Sequence, residues 1–136
     1  MILPSYRYAI DTNILVYSIS ENCKISARAS SLLTPTAHVS NFVMQEFLFQ
    51  LRRNFKLDKS NSMKIVTGSL QVLNLNRIGK DNYRYAHFLL RRYDFSLEDA
   101  MVVSDAILNG CTILYSKDMQ NGQVVDRKLK IIDPFK

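Results

Sequence analysis

Ser96-Leu97-Glu98-Asp99-Ala100-Met101-Val102-Val103-Ser104-Asp105-Ala106-Ile107-Leu108-Asn109-Gly110-Cys111-Thr112-Ile113-Leu114-Tyr115-Ser116-Lys117-Asp118 places a helix and a strand back to back. The serine followed by acids two and three residues on is a helix start, and Gly110 behind Asn109 is a helix stop. Cys111 to Ser116 then runs apolar without alternation, as in a strand covered on both faces. Strands of that kind belong to parallel sheets with helical crossovers, so this stretch predicts an α/β fold.

Working outward, the same alternation continues. Tyr6 to Ile10 is aromatic and apolar and stops at Asp11-Thr12-Asn13, which predicts a short strand with polar residues at its carboxyl end. Ile14 to Ile19 continues apolar. A helix is predicted from Ser26 to Leu33, before Thr34-Pro35, and a strand over Ala37 to Ser40 feeds a helix capped at Ser40 or Asn41. That helix repeats Met44, Phe47, Leu48, Leu51 and Phe55 at the spacing of a buried stripe, with Phe42, Val43 and Phe49 on its other side. A helix between Lys59 and Leu70, an edge strand at Val72 to Leu75, a helix over Asp81 to Arg92 with Tyr85, Phe88 and Leu89 inside, and a last strand at Leu129 to Ile132 complete the pattern. The expected fold is an α/β sandwich around a mainly parallel sheet.

With 136 residues, 47% hydrophobic and 22% charged, the chain fits a single domain spanning residues 1–136. No apolar run approaches the roughly 20 residues that cross a bilayer, and Met1 to Arg7 lacks the two halves of a signal peptide. A cytoplasmic location without a membrane partner is expected. Cys23 and Cys111 have neither CxxC spacing nor a histidine cluster beside them, so both are expected to be buried thiols rather than zinc ligands or a disulfide. The phosphate-cradling patterns GxGxxG and GxxxxGK[ST] are absent, which argues against dinucleotide and P-loop enzymes.

Chemistry is sought at the carboxyl ends of the strands, where ligands gather in open α/β sheets. Asp11 and Asp118 fall there, although a turn or cap aspartate would look the same. Glu46 stands opposite the main stripe of its helix but between Phe42, Val43 and Phe49, where a buried carboxylate would pair or hold a cation, unless it is an exposed Glu beside Arg53 or ion-paired with it. Asp99 projects beside Val102, Val103 and Ala106, on the buried side, or serves a loose capping box with Ser96. Glu98 and Asp105, seven apart, share an arc expected to be solvated. Four acids converging from separate elements would repel one another strongly, and divalent cations relieve this most simply. All-oxygen ligation favours Mg²⁺ or Mn²⁺ over zinc. Asn13 and Ser116, neighbours of two of these acids, can orient carboxylates or waters, although either fits a turn equally well.

Eighteen Lys and Arg against twelve Asp and Glu give a net charge of +6. With those four acids neutralised, the remaining eight face eighteen bases, a balance of +10 that suits a phosphodiester substrate. Arg52, Arg53, Lys56, Lys59, Arg91 and Arg92 are the candidates for tracking its backbone.

Ala9 to Tyr17, Ser40 to Glu46, Phe95 to Ala100 and Ser116 to Gln123 together resemble the PIN domain family, and within it the VapC-like ribonuclease toxins of prokaryotic toxin-antitoxin pairs. The resemblance implies a three-layer α/β/α sandwich, RNA hydrolysis with Mg²⁺ or Mn²⁺, a cognate antitoxin and a homodimer. By position, Asp11 is similar to the family's first metal-ligating aspartate and Glu46 to its glutamate. Asp99 matches the aspartate opening the central helix, and Asp118 the one after the following strand. Lys117 and Glu98 depart from the pattern, which expects an acid and an aromatic there. Water attack implies 5′-phosphate and 3′-hydroxyl products.

Three rivals are conceivable. A metal-free ribonuclease would rest on His38 and His87 as base and acid. A phosphotransferase would use Asp11 as nucleophile and Lys117 on the phosphate, but Asn13 stands where such enzymes expect a second aspartate. A catalytically silent PIN-like binding or scaffold protein would hold only a metal or a partner's arginine.

Overall fold

The computed structural model describes residues 6–136, so the leader reading at Met1 to Ser5 lies outside the described residues. The chain runs β1 (Tyr8–Ile10), α1 (Thr12–Ser18), α2 (Cys23–Ser30), β2 (Ala37–Ser40), α3 (Asn41–Arg53), α4 (Lys59–Leu70), β3 (Asn74–Asn76), α5 (Lys80–Arg92), α6 (Leu97–Leu108), β4 (Ile113–Tyr115), β5 (Val124–Val125) and β6 (Leu129–Ile132). Helices flank a central sheet of order β3-β2-β1-β4-β6-β5, the α/β/α sandwich expected. All pairings are parallel except β5 against β6.

The chain steps outward from β1 to β2 and β3, then returns to the other side of β1 with β4 and β6. Between β1 and β4, therefore, the connections diverge and leave a crevice at the carboxyl ends. Register makes this concrete: Ile10 lies opposite Tyr115, so Asp11 and Ser116 leave the sheet side by side.

Ile10, Leu114 and Ile131 on the strands, with Ile14, Leu15, Phe47, Leu51 and Val103 on the helices, are almost wholly withdrawn from water. Helix α6 is buried without a break from Ala100 to Ile107, which accounts for its apolar sequence. It ends in a Schellman motif: the Cys111 N–H donates to the Ala106 carbonyl, the Gly110 N–H donates to the Ile107 carbonyl, and Gly110 takes φ +76°.

Several expectations are corrected. Helix α2 begins at Cys23, because the Asn22 side chain caps it by accepting from the Lys24 and Ile25 amides. Cys23 is consequently exposed, whereas Cys111 is buried and its thiol is pushed up to about 12, mainly by that burial. Helix α3 stops at Arg53, so Phe55 falls outside its stripe and stays exposed. Phe88 also faces solvent rather than the interior. The apolar run at Ile14 forms α1, and β5 is an added strand.

Asp105 is the largest correction, since it is buried rather than solvated. Helix α5 packs across this part of α6 and supplies Asn82, whose amide donates to Asp105 at 3.4 Å. Asn109 donates at 2.9 Å and Asn76 at 3.5 Å, and Asn76 also contacts the buried His38 ring. Burial raises the Asp105 pKa, and these amides oppose the rise. Among the described residues, no helix is long and apolar enough to cross a membrane.

Candidate metal centre

Asp11 is the first residue past β1 and the N-cap of α1. Its backbone N–H donates to the Tyr115 carbonyl at 3.0 Å, which ties it to the neighbouring strand, and its Oδ1 accepts from the Thr12 amide at 2.7 Å. The Ser116 hydroxyl, fully buried behind it, donates to Asp11 Oδ2 at 2.8 Å. Asn13 bridges the two strand ends. Its Nδ2 donates to Asp11 Oδ2 at 3.4 Å and to Asp118 Oδ2 at 3.3 Å, while its Oδ1 accepts from the Lys117 amide at 3.0 Å. Asn13 and Ser116 thus both hydrogen-bond the Asp11 carboxylate.

Two helices bring the other carboxylates. Ser40 caps α3 by accepting from the Val43 amide, and Glu46 follows in the second turn with Gln50 one turn beyond. Ser96 caps α6 by accepting from the Asp99 amide at 3.1 Å, so the Asp99 backbone does take part in a cap. Its side chain nevertheless lines the same pocket as Asp11, Glu46 and Asp118, a cleft of about 110 Å³. Val102 forms an apolar part of the wall. Thr12, Gln50 and Glu98 also line it, a role that their residue types alone do not assign. Gln50 was findable, being four residues after Glu46 on one helix face.

The electrostatics show that these acids act on one another. Asp11 is 7% exposed, and burial lifts its pKa from the ordinary 3.8 to about 6. The Ser116 and Thr12 hydrogen bonds pull it down, while the charges of Asp99 and Glu46 push it further up. Asp99, half-buried, is also raised by burial, with Glu98, Asp118 and Glu46 adding to the rise.

This donor set fits a hard divalent cation. It is all oxygen, converges from four elements and carries charge that burial disfavours unless neutralised. Thr12 Oγ1 adds to the fit, being the buried side-chain polar atom left without a hydrogen-bond partner among the described residues. The acids are not drawn into a closed cage: among the described residues, no group of three His, Cys, Asp or Glu side chains is close enough to hold a metal ready-made.

The remaining candidates are dispersed. Lys117 turns from the pocket to pair with the buried Asp133 at 3.7 Å, so it does not stand over a phosphate beside Asp11. His38 is held by Asn76 within the sheet and His87 is exposed on α5, and neither lines the pocket. Among the described residues Glu46 makes no ion pair with Arg53, which lines an adjoining groove instead. Arg52 donates to the Leu57 carbonyl at 2.7 Å, Lys56 occupies a left-handed turn at φ 53°, and Lys59 opens α4. Arg91 and Arg92 flank a depression on α5 with Arg84, His87 and Phe88.

Among solved structures, the chain is similar to a DNA-bound VapBC from Salmonella typhimurium (13% identity, TM-score 0.75, covering 96% of this chain and 99% of that one). It is also similar to a toxin-antitoxin complex from Klebsiella pneumoniae (16%, TM-score 0.70, 93% and 97%). A third similar structure is VapC20 of Mycobacterium tuberculosis, a toxin cleaving the sarcin-ricin loop (19%, TM-score 0.66, 82% and 89%). At these identities the likeness concerns the fold. No curated protein matches the sequence. The sequence profile of the PIN domain, however, matches residues 8–124, from β1 to the start of β5 and including every acid of the pocket. On that match the chain belongs to the PIN domain family.

Proposed function

We propose that the chain is a Mg²⁺- or Mn²⁺-dependent endoribonuclease, the toxin of a toxin-antitoxin pair, working as one domain over residues 1–136. The observation that carries this reading is the meeting of Asp11, Glu46, Asp99 and Asp118 in one small pocket, with Asp11 buried and resisting ionisation. The similar structures support it as well, since one is a toxin cleaving the sarcin-ricin loop and another is a toxin-antitoxin complex. The reading includes an antitoxin partner and a homodimer.

In this reading Asp11, Asp99 and Asp118, with Glu46 directly or through water, hold the cation. When bound, the metal supplies positive charge to the scissile phosphate and lowers the pKa of the attacking water. The protein's part is orientation. Ser116 and Asn13 keep the Asp11 carboxylate turned to the cleft, and the partnerless Thr12 hydroxyl is free for a water or a phosphate oxygen. Arg53, beside Glu46, is the basic candidate placed nearest to steady the RNA strand, whereas Arg52, Lys56, Lys59, Arg91 and Arg92 line no part of the acidic cleft.

The test is cleavage of structured RNAs with Mg²⁺, with Mn²⁺ and with excess EDTA. Products with 5′-phosphate ends are expected only with metal, and unchanged cleavage in EDTA would overturn the proposal. Asp99→Asn should lower activity by orders of magnitude while costing at most about 1 kcal/mol of stability, since Ser96 still caps the helix. Full activity with a lowered Tm would make Asp99 structural.

A further inference from the structure

Helix α3 has a second face. Phe42, Gln45, Glu46, Phe49 and Arg53 follow one another at helical spacing, and Tyr83 from α5 closes a groove of about 430 Å³ against them. The size falls in the range of about 300–1,000 Å³ usual for sites that take a small organic group. Two of the three rings are left largely in water, Phe49 at 48% and Tyr83 at 64% exposure. Core packing does not explain them, because Val43, Met44, Phe47 and Leu51 already serve the core from the other side of α3.

The groove adjoins the acidic pocket, and Glu46 lines both. A phosphate held at the acids would therefore have the base of its own or the next nucleotide within reach of the rings. Aromatic faces stack on any nucleobase, at about 1–3 kcal/mol per base. The Gln45 amide offers a donor and an acceptor, and the Arg53 guanidinium offers a fork of donors, both suited to the hydrogen-bonding edge of a base. Arg53 also complements the charge of the neighbouring phosphate. An apolar peptide or a second copy would have less use for these two polar groups at the groove wall.

We infer that the Phe42–Phe49–Tyr83 groove seats an unpaired RNA base beside the scissile phosphate, with Gln45 and Arg53 reading its edge. The inference rests on the ribonuclease reading above and extends it to the choice of cutting site. A base in a duplex cannot enter such a groove, so cleavage falls in loops or single strands.

Two arms test it. In the first, a hairpin RNA with a randomised loop is cut by the wild type, Phe49→Ala, Tyr83→Ala and Gln45→Ala, and the ends are sequenced. The wild type should prefer particular bases at one position next to the cut. Loss of either exposed ring should lower kcat/KM on the preferred RNA by about 5- to 150-fold, the equivalent of one stacked base, largely through KM. Gln45→Ala should flatten the preference at that position. In the second arm, a hairpin RNA with 2-aminopurine in its unpaired loop is bound to the Asp99→Asn protein, and fluorescence should be quenched in that protein but not once Tyr83→Ala is added.

Unchanged cutting sites and rates in the ring variants overturn the inference. It is equally overturned if those variants keep the cleavage pattern but dissociate a dimer, or keep it but lose an antitoxin peptide, since the groove is then a protein interface. The fluorescence arm needs no catalysis. A wild type that cuts no RNA with either metal defeats the ribonuclease reading, while the quenching result still decides the base seat.

Discussion

Asp11 sets the behaviour of the site because it is the pocket acid most withdrawn from water. Its pKa is near 6 in the folded chain against 3.8 as an ordinary carboxylate, so between those values the folded state holds the extra proton. Stability therefore falls as pH rises through this window, and the loss is complete above about pH 6. A gap of that size corresponds to roughly 3 kcal/mol. Denaturant unfolding of the metal-free protein should show greater stability at pH 4 than at pH 7 from this group. Asp11→Asn should raise stability at pH 7, by about 1–2 kcal/mol after allowing for imperfect amide geometry, while abolishing cleavage. Mg²⁺ should stabilise the wild type at pH 7 and hardly at pH 4, and equal stabilisation at both would refute this account. Asp11, Glu46, Asp99 and Asp118 were legible as a set because each is an acid at a strand end or on an otherwise apolar face. Thr12 was not, because a threonine next to a helix cap gives no sign of whether its hydroxyl will find a partner.

Helix α6 shows what periodicity can reveal about an element and what it cannot. Its start at Ser96, its stop at Gly110 and the inward side of Asp99 follow from residue types and the 100° turn. The burial of Asp105 does not, because it depends on α5 covering the arc that Glu98 leaves exposed two turns nearer the pocket. The amides that satisfy Asp105 come from β3, α5 and the end of α6, a meeting that no local spacing announces. Strand β5 escaped notice for a related reason. The hairpin to β6 turns at Asp126 and Arg127, both left-handed, with φ of 51° and 56°, and the sequence has no glycine there to signal it. Asp126 is held in that turn by the Tyr85 hydroxyl, which donates to its carboxylate, and by the Tyr93 oxygen, which accepts from its amide. Asp105→Ala should cost about 2–3 kcal/mol in urea, since it strips a carboxylate partner from three amides, one of them on α5. Glu98→Ala should stay within roughly 0.5 kcal/mol. Equal effects of the two substitutions would return Asp105 to the solvated surface.

The whole molecule combines an acidic cleft with a basic exterior, a net +6 that rises as the cleft is neutralised. On the function proposed above, cations of either kind, metal or side chain, compete for one place. An antitoxin segment that inhibits by inserting an arginine among Asp11, Asp99 and Asp118 would replace the metal's charge with its own. Competition of this sort is reciprocal: the factor by which the peptide weakens Mn²⁺ binding must equal the factor by which Mn²⁺ weakens peptide binding. Mn²⁺ titration with and without saturating antitoxin peptide measures the first factor, and peptide titration with and without Mn²⁺ measures the second. Both should be tenfold or more, because a guanidinium and a divalent ion cannot share a cleft of about 110 Å³. If the segment instead crosses the Phe42–Tyr83 groove and leaves the acids untouched, inhibition should be complete while Mn²⁺ affinity stays the same. That result would place the antitoxin over the path of the RNA and leave the acidic cleft to the metal alone.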